Sequence, residues 1–222
     1  MIIRILIVDD HPMTVDGYVN LLSEYDFGAA KPEFIKAHNC QEAYNKINIQ
    51  LALEQYIDLA LLDVSLPAFP QHNILDGVDV GLYLRNKMSD CKIIMQTMHS
   101  EPVKVDNIVK QLRPEGFISK NDINFEIFST ICNRIIRGEN YFSPTILKAQ
   151  QEMSKNNLEF DIHDNKILVL LAQGVKTINL PEYIPLSLSA IEKRKATIKD
   201  QLLQKKGSDL ELLQKARQLG LL

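Results

Sequence analysis

Three carboxylates, a hydroxyl and an ammonium are spaced between positions 9 and 120 of this chain in a pattern that could carry out phosphoryl chemistry. Asp9-Asp10 closes the apolar run Ile2 to Val8, and Asp63 closes Leu59 to Leu62. Thr97 follows Ile93 to Met95, and Lys120 stands just beyond Phe117-Ile118. In an open parallel α/β sheet, reactive residues gather beyond the carboxyl ends of the strands, so these side chains converge on one rim. Paired carboxylates with Asp63 suit an oxygen-ligated divalent cation such as Mg²⁺, which keeps waters and accepts a phosphate oxygen. Thr97 would offer a hydroxyl and Lys120 a positive charge to the oxygens of a transferring phosphoryl group. Asp63 is the natural nucleophile, because a carboxylate can form an acyl phosphate. Singly, each residue has a plainer reading: Asp10 ahead of Pro12 can simply start a helix, and Lys120 can be a solvated loop lysine.

The elements that must position these residues follow from periodicity. Ile2 to Val8, Phe34 to Ala37, Leu59 to Leu62, Ile93 to Met95 and Phe117-Ile118 are short apolar runs, as expected of strands buried on both faces. Between them, sets such as Val15, Val19, Leu22 and Val80, Leu84, Met88 recur at helical spacing, and Ile123, Ile127, Ile131, Ile135 continue it to Gly138. Five strands alternating with helices predict one doubly wound five-stranded parallel α/β domain over residues 1–137. Residues 138–159, with Gly138, Pro144 and a polar helical stretch from Ile146 to Lys155, read as a connector. Residues 160–222 show no strand pattern and read as a small all-α domain.

The composition agrees with two modest domains. The chain has 222 residues, 45% hydrophobic and 24% charged. No apolar run approaches the roughly 18 residues of a membrane span, and Asp9-Asp10 cuts the first run too short for a signal peptide, so a cytoplasmic protein without membrane contact is expected. Cys40, Cys91 and Cys132 are odd in number and far apart, a poor basis for a disulfide or zinc framework. The net charge of −3 divides unevenly: residues 1–160 carry 15 Lys+Arg against 21 Asp+Glu, and residues 161–222 carry 10 against 7. An acidic front and a basic tail suggest two jobs.

Within the tail, Asp161 is a fitting N-cap for a helix through Leu171, with Gly174 as its stop. A short helix near Leu180 to Ile184, a turn at Pro185 to Ser187 and a longer basic helix from about Leu188 to Leu203 have the order of a helix-turn-helix. Interior proline is costly, so the short helix is expected to start near Asn179, with Pro181 in its first turn. Ser189 to Glu192 fits a capping box, and Ser187 is a competing cap. On the longer helix Ile191, Ile198 and Leu202 form the inward stripe. Glu192, Lys193, Ala196, Thr197 and Asp200 then face outward, toward base edges or toward solvent. Arg194, Lys195 and Lys199 flank the stripe and suit phosphate contacts. Lys193 and Arg194 are expected to matter more for DNA than Lys205 and Lys206.

Ile5-Leu6-Ile7-Val8-Asp9-Asp10-His11-Pro12, Leu61-Leu62-Asp63-Val64-Ser65-Leu66-Pro67, Thr97-Met98-His99 and Gly116-Phe117-Ile118-Ser119-Lys120 together resemble the receiver domain of bacterial two-component response regulators, a flavodoxin-like fold. The resemblance implies that Asp63 accepts a phosphoryl group from a sensor histidine kinase. It also implies that Asp9, Asp10, Asp63 and the Ser65 carbonyl hold Mg²⁺, with Thr97 and Lys120 on the phosphate. Phe117 matches the family's aromatic switch position, alongside Thr97; a plain core phenylalanine is the other reading. Two departures stand out. Ala68 to Leu75 is an insertion bordering Asp63, which bears on phosphate lifetime. Arg113-Pro114-Glu115 replaces a small-residue turn, a change expected to alter only a loop.

Phe160-Asp161-Ile162-His163-Asp164-Asn165-Lys166-Ile167-Leu168, Leu171-Ala172-Gln173-Gly174, Leu186-Ser187 and Ala190-Ile191-Glu192-Lys193-Arg194 look like the LuxR-type helix-turn-helix attached to receivers of the NarL/FixJ kind. Lys166, Pro181 and Pro185 depart from that pattern. The resemblance implies a transcription regulator whose phosphorylation controls a homodimer on promoter DNA, with no enzymatic role beyond its own phosphoryl transfer and dephosphorylation. The alternative is a phosphorylation-gated protein–protein adaptor with a degenerate DNA-binding domain. A phosphohydrolase of the haloacid-dehalogenase type is disfavoured, since Ser65 stands where its second aspartate is needed.

Overall fold

The computed structural model describes residues 2–28, 30–155, 160–203, 207–219 and 221–222; the end of the expected connector, Lys205 and Lys206 lie outside them. The chain divides into two compact units, Met1–His99 with Ile108–Leu147, and Lys148–Leu222 with Ser100–Asn107.

In the first unit, β1 (Ile2–Val8), β2 (Lys31–Ala37), β3 (Leu59–Asp63), β4 (Lys92–Thr97), β5 (Gly116–Ser119) and β6 (Tyr141–Phe142) form one parallel sheet in the order β2-β1-β3-β4-β5-β6. The expected five-stranded sheet thus gains a sixth strand, in the segment read as connector. Two residues show no periodicity, and β6 exists because its backbone pairs with the open edge of β5, Gly116 opposite Tyr141 and Phe117 opposite Phe142. At the other edge β2 begins three residues earlier than its apolar run, an extension that Pro32 tolerates because an edge strand needs fewer ladder donors.

The crossovers are α1 (Pro12–Ser23), α2 (Cys40–Ala52), α3 (Gly77–Lys87), α4 (Pro102–Leu112) and α5 (Phe125–Ile136). One sheet face carries Ile3, Ile5, Ile7, Leu59 and Leu61 against α1 and α5, where Tyr18 stacks on Phe128 with ring centroids 4.6 Å apart. Alternation along the strands turns Leu62 to the opposite face, beside Gly81 of α3. Cys40, Cys91 and Cys132 are free thiols buried in this unit, and burial pushes the Cys40 thiol up to about 11.

The segment Arg113-Pro114-Glu115 does more than alter a loop. Arg85 donates to both Glu115 carboxylate oxygens, at 3.1 and 2.9 Å, and Glu115 also accepts the Ile93 amide at 2.8 Å. Burial alone would raise the Glu115 pKa, and these donors hold it below the usual carboxylate range. The carboxylate therefore ties the end of α3 to the starts of β4 and β5.

The second unit contains most of α6 (Pro144–Lys155), followed by α7 (Ile162–Ala172), α8 (Leu188–Leu203) and α9 (Asp209–Gln218). Asp161 caps α7 in a reciprocal box with Asp164, and Ser208 caps α9 in the same way with Glu211. Ile167, Leu180, Ile191, Ile198, Leu202 and Leu212 form its core. The short helix expected from about Asn179 is instead a 3-10 turn over Thr177–Glu182 with Pro181 inside it. Proline lacks the N–H and crowds the carbonyl four residues back, so an α-helix does not propagate there. At the start of α8, Ser187 rather than Ser189 accepts an orphan amide, that of Ala190, at 3.3 Å.

Candidate functional site: an acidic rim and an exposed helix face

The parallel register brings the ends of β1, β3, β4 and β5 to one rim. Val8 lies opposite Leu62, Asp63 opposite Gln96, and Thr97 opposite Ser119, so Asp9, Asp63, Thr97 and Lys120 emerge side by side. Lys120 is the centre. Its Nζ donates to Asp9 Oδ2 at 2.7 Å and to Asp63 Oδ2 at 2.8 Å. Both carboxylates are buried, and the one ammonium between them offsets part of their mutual repulsion. Burial alone would favour the neutral amine, but the hydrogen bonds and charges of Asp63 and Asp9 outweigh it and raise the Lys120 pKa.

The remaining oxygens are less engaged. Asp63 Oδ1 meets the Ser65 amide at 3.4 Å, a long contact, while Asp9 Oδ1 accepts from the His11 amide at 3.0 Å. Asp10 does not reach Lys120; its Oδ1 lies 2.8 Å from His11 Nδ1. Thr97 Oγ1 accepts from the His99 amide at 2.9 Å, and the Thr97 carbonyl accepts the Lys120 amide at 2.8 Å, which ties the Lys120 turn to the end of β4. Phe117 is fully buried in β5, and Ser65 is exposed at the mouth.

His11 was not among the residues singled out from sequence. It joins Asp9 and Asp10 in a group whose ligand atoms lie within 4.8 Å of one another. Its only sequence signal is its place directly after the acidic pair. Carboxylate oxygens dominate this donor set, which fits a hard divalent cation such as Mg²⁺.

Two further features frame the site. Gly77 begins α3 directly under the Asp63 main chain: its amide donates to the Val64 carbonyl at 3.1 Å, and a Cβ there would lie 1.7 Å from the Asp63 carbonyl oxygen. The insertion Ala68 to Leu75 is folded on itself, with Phe69 and Ile74 bridged and a 3-10 turn at Pro70–His72. His72 stacks on Tyr44 of α2, and Phe69 also meets that ring.

Beyond β5, Asp122 accepts from the Ser143 hydroxyl at 2.6 Å, the Thr145 amide at 2.8 Å and the Thr145 hydroxyl at 2.7 Å, while Ser143 Oγ accepts the Ser119 amide at 3.0 Å. This carboxylate, two residues from Lys120, thereby caps the start of α6.

On α8 the inward stripe is Ile191, Ile198 and Leu202, all buried, and Glu192, Lys193, Ala196, Thr197 and Asp200 are exposed. The three flanking cations are engaged inside the unit. Arg194 pairs with Asp161 at 2.7 Å and Asp164 at 2.9 Å. Lys195 and Lys199 each lie 2.7 Å from Asp209, and Lys195 also donates to Thr177 Oγ1. Arg194 therefore joins α8 to the cap of α7. Arg194→Ala is expected to destabilise this unit by about 1 kcal/mol, the upper range for a partly exposed pair. Lys193→Ala should leave stability within about 0.5 kcal/mol. Urea unfolding of the two variants checks this, and equal losses would contradict it.

Residues 5–131 match the response regulator receiver domain family. The chain belongs to the response regulator receiver family. Among curated relatives, this response regulator is similar to the probable transcriptional regulatory protein NarL of Mycobacterium tuberculosis, 26% identical over 154 residues, which are 65% of this chain and 60% of the relative. The match thus spans three fifths of that relative's length. It is also similar to the transcriptional regulatory protein MctR of Rhizobium johnstonii, 23% identical over 90% of this chain and 87% of the relative. Among solved structures, RcsB from Salmonella enterica serovar Typhimurium, bound to a promoter in the presence of the phosphomimetic BeF3⁻, shares its fold. The TM-score is 0.64 at 17% identity, over 96% of this chain and 97% of that one. Among the described residues, no helix of the response regulator is long and apolar enough to cross a membrane.

Proposed function

We propose that this response regulator takes a phosphoryl group on Asp63 from a sensor histidine kinase in the cytoplasm and, in that state, binds promoter DNA as a homodimer to control transcription. Residues 1–137 act as the receiver, 138–159 as the connector and 160–222 as the DNA-binding domain. The observation that carries the reading is Lys120, held between Asp9 and Asp63 at the carboxyl rim of the sheet.

A carboxylate oxygen of Asp63 attacks phosphorus, the P–N bond of a phosphohistidine breaks as the P–O bond forms, and the imidazole leaves with its electron pair and is protonated. Asp9, Asp10, Asp63 and the Ser65 carbonyl would hold Mg²⁺, which supplies positive charge to the phosphoryl oxygens. Lys120 is placed to exchange its carboxylate contact for a phosphoryl oxygen, and Thr97 to turn its hydroxyl from the His99 amide toward the same group. The chain promotes only its own phosphoryl transfer and dephosphorylation.

Phosphorylation replaces the single carboxylate charge of Asp63 with an acyl phosphate of roughly −1.5 to −2, a net gain of at most about one negative charge, and adds acceptor oxygens. Inward movement of Thr97 leaves space for Phe117 to repack, which changes the surface carried by β4 and β5. In the second domain, α8 offers its exposed face to the major groove. On α9, Leu212 and Ala216 are buried and Leu210 is 67% exposed, so Leu210 is available to a second copy.

Sedimentation and footprinting with and without beryllofluoride in Mg²⁺ test the proposal. The expected result is a monomer that becomes a dimer and protects half-sites about 10 bp apart, with salt-dependent affinity. A monomer in both states, with no retention on duplex DNA, would overturn it in favour of the protein–protein adaptor.

A further inference from the structure

The exposed face of α8 is short of positive charge. Arg194, Lys195 and Lys199 are spent on Asp161, Asp164 and Asp209. Among the described residues, Glu192, Lys193 and Asp200 are the charged side chains of α8 that carry no ion pair, and all three are exposed. Glu192 is not drawn into a capping box either, since Ser187 caps the helix. A free carboxylate thus stands near the N-terminal end of α8, the part of a recognition helix that meets base edges.

Phosphates repel such a carboxylate, so the group needs compensation from a base-edge donor. In the major groove the exocyclic amines of cytosine and adenine are the donors, whereas guanine O6 and N7 and thymine O4 are acceptors. Adenine sets its N7 acceptor beside N6, where it opposes a second carboxylate oxygen. Cytosine N4 has no acceptor beside it on the same base. Lys193, the next residue, has the complementary chemistry for guanine O6 and N7. Ala196, one turn from Glu192, is small enough to let the helix approach, and Thr197 turns its hydroxyl back to the Lys193 carbonyl at 3.2 Å.

We infer that Glu192 is a specificity-determining residue that selects cytosine, with Lys193 on a neighbouring guanine, so that each operator half-site carries G·C pairs beneath the start of α8. The inference rests on the DNA-binding reading above.

Selection from a random duplex library, using the full chain treated with beryllofluoride and Mg²⁺, tests it against Glu192→Gln and Glu192→Ala. The native chain is expected to enrich cytosine at one fixed position per half-site, and replacing that cytosine should weaken binding about tenfold. Glu192→Gln should move that position to adenine, because a carboxamide can bond N6 and N7 together. Glu192→Ala should lose the preference there and keep the rest of the motif. Unfolding midpoints matching the native chain establish that both variants are folded. An unchanged motif in both variants overturns the assignment and leaves DNA binding in place. Failure of the native chain to enrich any site, with no salt-dependent retention on duplex DNA, overturns the DNA-binding reading itself.

Discussion

Asp63→Asn is expected to abolish uptake of a phosphoryl group from a small phosphodonor in Mg²⁺, whereas the native chain gains one such group. Intact-mass measurement after donor treatment reads this directly. Asn has the size of Asp, but its amide is a poor nucleophile and contributes no charge to a divalent cation. The change should leave the fold in place, because Lys120 keeps Asp9 at 2.7 Å and two neighbouring buried carboxylates become one. Loss of labelling with an unchanged unfolding curve would therefore report the chemistry. Undiminished labelling of the variant would remove Asp63 from its role.

The largest stability effect is expected at Gly77. Alanine there would place Cβ 1.7 Å from the Asp63 carbonyl oxygen and 2.8 Å from the carbonyl carbon, both main-chain atoms. No side-chain rotation relieves such a contact. Either α3 moves off the sheet, breaking the Gly77 to Val64 hydrogen bond, or the end of β3 moves and carries Asp63 with it. Overpacking against a side chain costs typically 1–3 kcal/mol, and a collision with the backbone of a buried strand should cost at least about 3 kcal/mol. For a chain of this size that lowers the melting temperature by roughly 6–12 °C. Gly17→Ala is the control: it lies within α1, nothing beyond its chain neighbours and its own helix backbone lies within 4 Å of its would-be Cβ, and the change should stabilise by about 0.5–1 kcal/mol. Thermal unfolding decides the pair; a Gly77→Ala variant as stable as the native chain would refute the packing argument.

Much of this was legible in the residues because it is local. An apolar run ending in a polar residue is a buried strand delivering that side chain to a rim, which makes Asp9, Asp63, Thr97 and Lys120 legible. The Asp161 cap and the inward stripe of α8 were legible for the same reason, since a cap needs an acceptor within three residues and a helix repeats its face every turn. The missing strand, β6, had no such repeat: two residues become a strand only when another strand's edge lies beside them.

What the sequence alone determined is which groups exist and roughly where each element delivers them; which charges meet was decided by the tertiary structure. Lys120 lies 111 residues from Asp9 and 57 from Asp63, and its choice of both follows from strand order. Glu115 looked like loop filling until β4 and α3 supplied its donors, 22 and 30 residues away. Arg194, Lys195 and Glu192 are near neighbours on one helix, yet folding gives the two cations to distant aspartates and leaves the carboxylate exposed. Periodicity assigns a side chain to a face of its own helix, whereas an ion pair depends on what another part of the chain brings within about 4 Å, and no local pattern encodes that.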